Sequence, residues 1–274
     1  MSFERFRVQQ SVEVDLGCLN LERWNSYKAK FEEYRINSTR KERLAEDLKQ
    51  DSIDLYYKGI FSLCDALKNI ADNYHSWAVV KLYYSVFYLL RCSLATQYIA
   101  FVKNKGIYTL KLEEGEKPIR RDKGDFYGER LAGDHKTTIA TFIKVVGEND
   151  LLQTNSINGE LVYLWLMKLR DRVNYRERCF YEPTPKYFFA EIFETKKLND
   201  YVRIYVDDET HAYCFDPDHA CLAVPLKVSL DVSEKLKIFA GENLLGDARM
   251  KVLKKMVEGA RLNEIRRFAS LISL

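Results

Sequence analysis

Residues 76–88, Ser-Trp-Ala-Val-Val-Lys-Leu-Tyr-Tyr-Ser-Val-Phe-Tyr, decide the fold. They open an apolar run from Trp77 to Val102 in which Trp77, Ala78, Val79, Val80, Leu82, Val86, Phe87, Leu89, Leu90, Leu94 and Ala95 cover nearly every side of a helix. A helix apolar all round belongs in the middle of a bundle. Lys81 and Arg91 interrupt the run, so no uncharged stretch reaches the roughly 18 residues of a membrane span, and no membrane partner is expected. Ser76 is the expected N-cap.

Working outward, Ser38 is a plausible cap with Glu42 near the first turn. From Arg43 to Ala71, the residues Leu44, Leu48, Ile53, Leu55, Ile60, Leu63, Leu67 and Ile70 predict one long helix, or two broken near Gln50–Ser52. On the other side, residues 103–134 form a charged, glycine-bearing insertion with a short hairpin. Gly133 or Asp134 starts a helix through Val146, and Asn158 or Gly159 starts the last bundle helix, running to about Arg178. Residues 5–15 alternate apolar with polar and read as a strand or a partly ordered arm. Pro183 and Pro185 push the residues before them out of helical geometry and mark a boundary. Beyond it, Tyr201–Asp207, Glu209–Phe215 and Ala220–Val232 read as strands, with Asp216-Pro217-Asp218 as a turn. A basic amphipathic helix split near Gly259 closes the chain. The expected fold class is therefore mainly α: an N-terminal extension over 1–45, an antiparallel helical bundle over 46–182 and a small α+β region over 186–274.

The composition is that of a globular chain, with 274 residues, 47% apolar and 30% charged, and only 12 Gly and 5 Pro. The formal charge is +3, from 43 basic and 40 acidic side chains, so a polyanion would have to be held by a local patch rather than by bulk charge. The start, Met-Ser-Phe-Glu-Arg-Phe-Arg, has no apolar core or small-residue cleavage site, and the expected location is cytoplasmic. The six cysteines lack a framework spacing, and most are expected to be free core thiols.

Chemistry concentrates at the end of the last bundle helix, Leu169-Arg-Asp-Arg-Val-Asn-Tyr-Arg. At 100° per residue, Val162, Trp165, Leu166, Leu169 and Val173 make a core stripe. Arg170 and Asn174 share one flank, Asp171 and Tyr175 the next, and Lys168 with Arg172 a third. Arg176 and Arg178 fall in the last turn, where cations suit the helix dipole. The patch could hold a nucleic-acid backbone through Lys168, Arg172, Arg176 and Arg178; the plainer account is a solvated, salt-bridged face. The doublet Tyr83-Tyr84 with Lys81 is read first as packing with a snorkelling lysine, and second as a base-stacking platform.

Three motifs in order, Ser76–Tyr88 with its Tyr-Tyr doublet, Gly133-Asp-His-Lys with Phe142, and Leu169-Arg-Asp-Arg-Val-Asn-Tyr, resemble a HEPN domain over about residues 50–182. The resemblance implies a helical bundle that dimerises, of a kind used in bacterial toxin, antiphage and RNA-processing systems. It further implies a partner such as an ATPase, a nucleotidyltransferase or another effector. Many HEPN domains are metal-independent ribonucleases in which an arginine and a histidine spaced Arg-x4–6-His act at the dimer interface. Arg170 matches that arginine, but Tyr175 stands at the histidine position. A phenol near pKa 10 is a poor general base at neutral pH, whereas imidazole at about 6.5 is well placed. His135 matches the histidine at the head of the third helix; its plainer reading is a helix cap or a bond to a backbone carbonyl. The candidate catalytic set is Arg170, Asn174, Tyr175 and His135, with no metal and no cofactor.

A second cluster, His211, Cys214, His219 and Cys221, has metal-ligand residue types but an awkward offset for a shared sheet face, and ordinary packing is the preferred reading. No phosphate-binding glycine loop, dinucleotide fingerprint, nucleophile elbow or His-Glu-x-x-His is present. Three functions stay open: a HEPN-like module that binds RNA or nucleotide beside a partner effector, in a defence or toxin setting; a metal-independent ribonuclease; and a structural subunit. The lost histidine favours the first and third.

Overall fold

The computed structural model describes residues 5–18, 20–22, 25–184, 186–194 and 197–274. Met1–Glu4, which open the stretch read for a leader, and Pro185 of the expected boundary lie outside them. In chain order the elements are α1 (Arg7–Leu16), α2 (Lys28–Glu32), α3 (Ser38–Ala71), α4 (His75–Ala95), β1 (Ile99–Lys103), β2 (Ile107–Lys111), β3 (Ile119–Arg120), β4 (Asp125–Phe126), β5 (Glu129–Arg130) and α5 (Asp134–Val146). There follow β6 (Ser156–Ile157), β7 (Glu160–Leu161), α6 (Val162–Asp171), α7 (Lys197–Asp207), α8 (Ala220–Ala240), α9 (Gly246–Val257) and α10 (Arg266–Ile272). The fold is mainly helical with a small sheet region.

The chain forms two compact units, each discontinuous in sequence: residues 1–54 with 91–145, and residues 55–90 with 146–274. These divide the chain differently from the linear boundaries at 45 and 182–186. The long helix expected after Ser38 is continuous, and it supplies both units.

In the first unit, α1 occupies the stretch read as a strand. Its buried face is Val8, Gln9, Val12 and Glu13, a helical stripe half made of polar residues, which is why the sequence looked alternating. Tertiary bonds hold the polar half in place. Gln9 accepts from the Lys103 amide at 2.8 Å and donates to its carbonyl at 3.2 Å, standing in for a strand beside β1. Glu13 Oε1 accepts from Arg5 at 2.6 Å and from the Leu21 amide at 2.9 Å. Asp51 of α3 accepts from the amides of Arg7 at 2.8 Å and Val8 at 3.1 Å, closing the N-terminus of α1. Burial nonetheless pushes the Asp51 carboxyl up to about 6.

The apolar run from Trp77 does not stay helical to Val102. It leaves the helix after Ala95, and β1 pairs antiparallel with β2, Ile99 facing Lys111 and Lys103 facing Ile107. β3 adds to the far side of β2, so the end of the apolar run and the insertion together form a three-stranded sheet in the order β1-β2-β3, and the insertion also carries the β4–β5 hairpin. Ala100, Val102, Tyr108, Leu110 and Leu112 pack in one core cluster with Val8, Val12, Phe31, Leu44 and Leu48.

In the second unit, α3 and α4 approach closely at Gly59, where a Cβ would lie 2.7 Å from Leu89 Cγ. Asn158-Gly159 does not begin a helix. It is the turn of the β6–β7 hairpin, with φ of 50° and 80°, the positive values that this two-residue loop requires. The region after 186 is also corrected: among the described residues it holds no strand, and α7 and α8 occupy two of the segments read as strands. Leu198, Val202, Tyr205 and Val206 are the buried residues of α7, spaced i, i+4, i+7 and i+8. The window that began at Tyr201 cut this stripe in half. After Gly246 the expected split basic helix is present as α9 and α10.

Candidate functional site

The bottom of the second unit's chemistry is the Leu169–Glu182 stretch. α6 runs to Asp171 and passes into a single π turn, Arg172–Arg176, in which the Glu177 amide donates to the Arg172 carbonyl at 2.9 Å. This i to i+5 bond inserts an extra residue into the turn, so an α-helical wheel no longer assigns faces beyond Arg172. Val162, Leu166, Leu169 and Val173 are buried as expected, Trp165 of the expected stripe is only half-buried, and Tyr163 and Met167 join the core instead.

Arg170 is buried as well, only 6% exposed, and so does not lie on a polar flank. Its guanidinium carbon sits 4.7 Å from the Tyr83 ring centroid and 5.8 Å from that of Tyr84, and Nη1 pairs with Asp171 at 2.7 Å. A planar, weakly hydrated cation stacks on aromatic faces at low desolvation cost, which is why arginine can occupy this position. Arg170 Nε has no hydrogen-bond partner. Burial raises the Tyr83 phenol above its ordinary range, against the hydrogen bond and charge of Arg170. The Tyr-Tyr doublet is thus packing for an arginine, while Lys81 pairs with Asp65 at 2.6 Å.

The rest of the expected set separates from Arg170 by exposure. Tyr175 is 71% exposed, and Arg172, Arg176 and Arg178 are exposed with no ion pair among the described residues. Asn174 is half-buried, and Lys168 is bonded to Glu160 at 2.6 Å. His135 heads α5 as expected, but in the first unit, whereas Arg170, Asn174 and Tyr175 belong to the second.

The loop after the π turn is ordered by two acidic side chains. Glu177 accepts from the hydroxyls of Tyr181 and of Tyr187, the latter at 2.6 Å, and from Lys186 at 3.3 Å. These bonds hold its carboxyl down at about 2. Lys186 in turn lies 3.7 Å from the Tyr181 ring centroid. Glu182 reaches the start of α4, where Oε1 accepts from the Ser76 amide at 2.7 Å and Oε2 from the Ser76 hydroxyl at 2.6 Å. The Tyr181 amide donates to the same hydroxyl at 3.2 Å. The carboxylate therefore fills the positive N-terminus of α4, and the cap comes from residue 182 rather than from Ser76. Partial burial works against its ionisation, but the two Ser76 bonds outweigh it and keep the Glu182 carboxyl below its usual range. Beside this clasp His75 is buried against Phe193, and burial lowers its imidazole. Trp77 and Phe180 meet edge to face at 5.6 Å, each still nearly half exposed.

The metal-type cluster does not form. Cys214 ends a short 3-10 turn, Cys221 lies in α8, and both are buried, with burial pushing Cys214 up to about 12. His219 bonds the Tyr205 hydroxyl at 2.7 Å. Among the described residues no group of three or more His, Cys, Asp or Glu could hold a metal.

Sequence reading missed the Glu182–Ser76 clasp and the Trp77–Phe180 pair. They join residues more than a hundred positions apart, and no local pattern marks such a pairing. No family model, curated protein or solved structure matches this chain.

Proposed function

We propose that the protein binds RNA through the exposed basic π turn and loop that follow α6, as a non-catalytic module resembling a HEPN domain and working with a partner effector in a defence or toxin system. The observation that carries this reading is the set of three exposed arginines, Arg172, Arg176 and Arg178, in no ion pair among the described residues and flanking an exposed Tyr175. Residues 168–186 carry six cations, Lys168, Arg170, Arg172, Arg176, Arg178 and Lys186, against three carboxylates, Asp171, Glu177 and Glu182. A local patch of this kind supplies the phosphate contacts that a net charge of +3 does not. A π turn is also a frequent feature of functional sites. Dimerisation, the partner and the defence setting rest on the resemblance alone.

The ribonuclease reading with Arg170 and Tyr175 has less support, because the Arg170 guanidinium is already occupied by Tyr83 and Asp171 while Tyr175 is largely solvated. The test is a salt series of RNA affinity for wild-type protein and for Arg172→Gln/Arg176→Gln/Arg178→Gln, in excess EDTA, with RNA integrity read from the same samples. The expected result is intact RNA, weaker binding by the triple variant, and a salt slope shallower by about 2 for three lost phosphate contacts on a single strand. Equal affinity and slope in the two proteins would remove the reading. Cleavage abolished by Arg170→Lys in a folded protein would restore the ribonuclease.

A further inference from the structure

We propose that Trp77, backed by Phe180, is a stacking platform for one unpaired base, so that the ligand of this surface is single-stranded; the proposal rests on the RNA-binding reading above and specifies its substrate class. Trp77 is 45% and Phe180 47% exposed, although their rings touch with centroids 5.6 Å apart at 64°. Two large rings left half in water are an unused apolar surface, and their edge-to-face arrangement leaves ring face uncovered. The chain beside each ring is held in place. Ser76, which precedes Trp77, is held by both carboxylate oxygens of Glu182, and Tyr181, which follows Phe180, donates its amide to Ser76. The platform is thus organised before any ligand arrives, which lowers the ordering cost of binding.

Charge selects the occupant. Arg178 and Arg176 precede Phe180 by two and four residues, are exposed and are in no ion pair among the described residues, whereas the nearby carboxylates of Glu177 and Glu182 are engaged. Aromatic faces interleaved with unpaired cations suit a strand whose bases are free to leave their own stack. In a duplex the base faces are covered by their neighbours, so the rings have nothing to stack on and only the arginines contribute.

The test uses the full chain, a labelled oligouridine and a blunt RNA duplex of equal length, with affinities read by anisotropy at one salt concentration. Wild-type protein is expected to bind the single strand more tightly than the duplex. Trp77→Ala should weaken the single strand about tenfold and leave the duplex unchanged. Trp77→Tyr should recover most of the loss, which a merely structural role for the indole would not give. Ser76→Ala, which removes the hydroxyl's bond to Glu182 and its acceptance from the Tyr181 amide without touching either ring, should weaken the single strand in the same direction. Circular dichroism of each variant confirms that it is folded; should Trp77→Ala not fold, Trp77→Tyr and Ser76→Ala carry the test. Single-strand affinity unchanged in Trp77→Ala, or equal single-strand and duplex affinities in wild type, overturns the proposal while leaving the arginine reading intact. Binding of neither RNA removes both.

Discussion

Arg170 is a cation inside the second unit, and its worth lies in what it would leave behind. Removing it strips Tyr83 and Tyr84 of their stacking partner and Asp171 of its ion pair. Arg170→Ala is expected to destabilise the fold by about 2 kcal/mol, with Arg170→Lys losing part of that because an ammonium cannot stack as a plane. Urea denaturation measures it, and any loss of function in Arg170→Ala has to be read against that loss of stability. Asp51 is the corresponding residue of the first unit. Its carboxyl is raised to about 6, so the folded chain keeps a proton there that the unfolded chain has released near its ordinary value of about 4. Its contribution to stability is therefore present below pH 4 and lost as pH rises through 6. Glu182 has the opposite sign: its depressed pKa gives stability above the ordinary carboxylate value and loses it as pH falls through the folded one. Site-resolved carboxyl titration by NMR should show Asp51 titrating late and Glu182 early. Asp51→Asn should cost about 1 kcal/mol, since one of the two oxygens that accept from Arg7 and Val8 becomes an NH2 donor.

At the scale of elements, the α3–α4 crossing depends on a missing side chain. Gly59 is helical, and alanine there would gain about 1 kcal/mol in helix propensity. The added Cβ would meet Leu89 Cγ at 2.7 Å and the Ser85 carbonyl at 3.3 Å, and Leu89 is fully buried and has nowhere to go. Overpacking of this kind costs about 1–3 kcal/mol, so Gly59→Ala is expected to lower the urea midpoint despite its better propensity. The elements that the sequence mislabelled have separate causes. α1 buries Gln9 and Glu13 beside Val8 and Val12, so its helical stripe is half polar. α7 starts at Lys197, ahead of the window in which its residues seem to alternate. Local patterns measure which residues are apolar, whereas burial also admits polar residues that a distant partner satisfies.

For the whole molecule, the two compact units are each assembled from separated stretches of chain. Within the second, Tyr56 donates to the Leu271 carbonyl at 3.0 Å and Tyr83 covers Arg170, so residues 55–90 complete what 146–274 begins. A fragment of residues 146–274 is therefore expected not to fold cooperatively, and the check is a thermal melt followed by circular dichroism beside the full chain. A sigmoidal melt for the fragment would mean that its own helices suffice.

The residues alone determined the mainly helical class, the long helix from Ser38, the all-apolar α4 start, the helix from Asp134 and the split basic C-terminus, because each rests on a strong local period or a turn residue. They also marked Lys168, Arg172, Arg176 and Arg178 as a basic patch beside Tyr175. Only the tertiary structure decided that Arg170 is buried while its neighbours are solvated, that Ser76 is clasped by Glu182, and that Trp77 meets Phe180. Those outcomes depend on which distant surface covers a given side chain, a long-range property that no window of neighbouring residues contains.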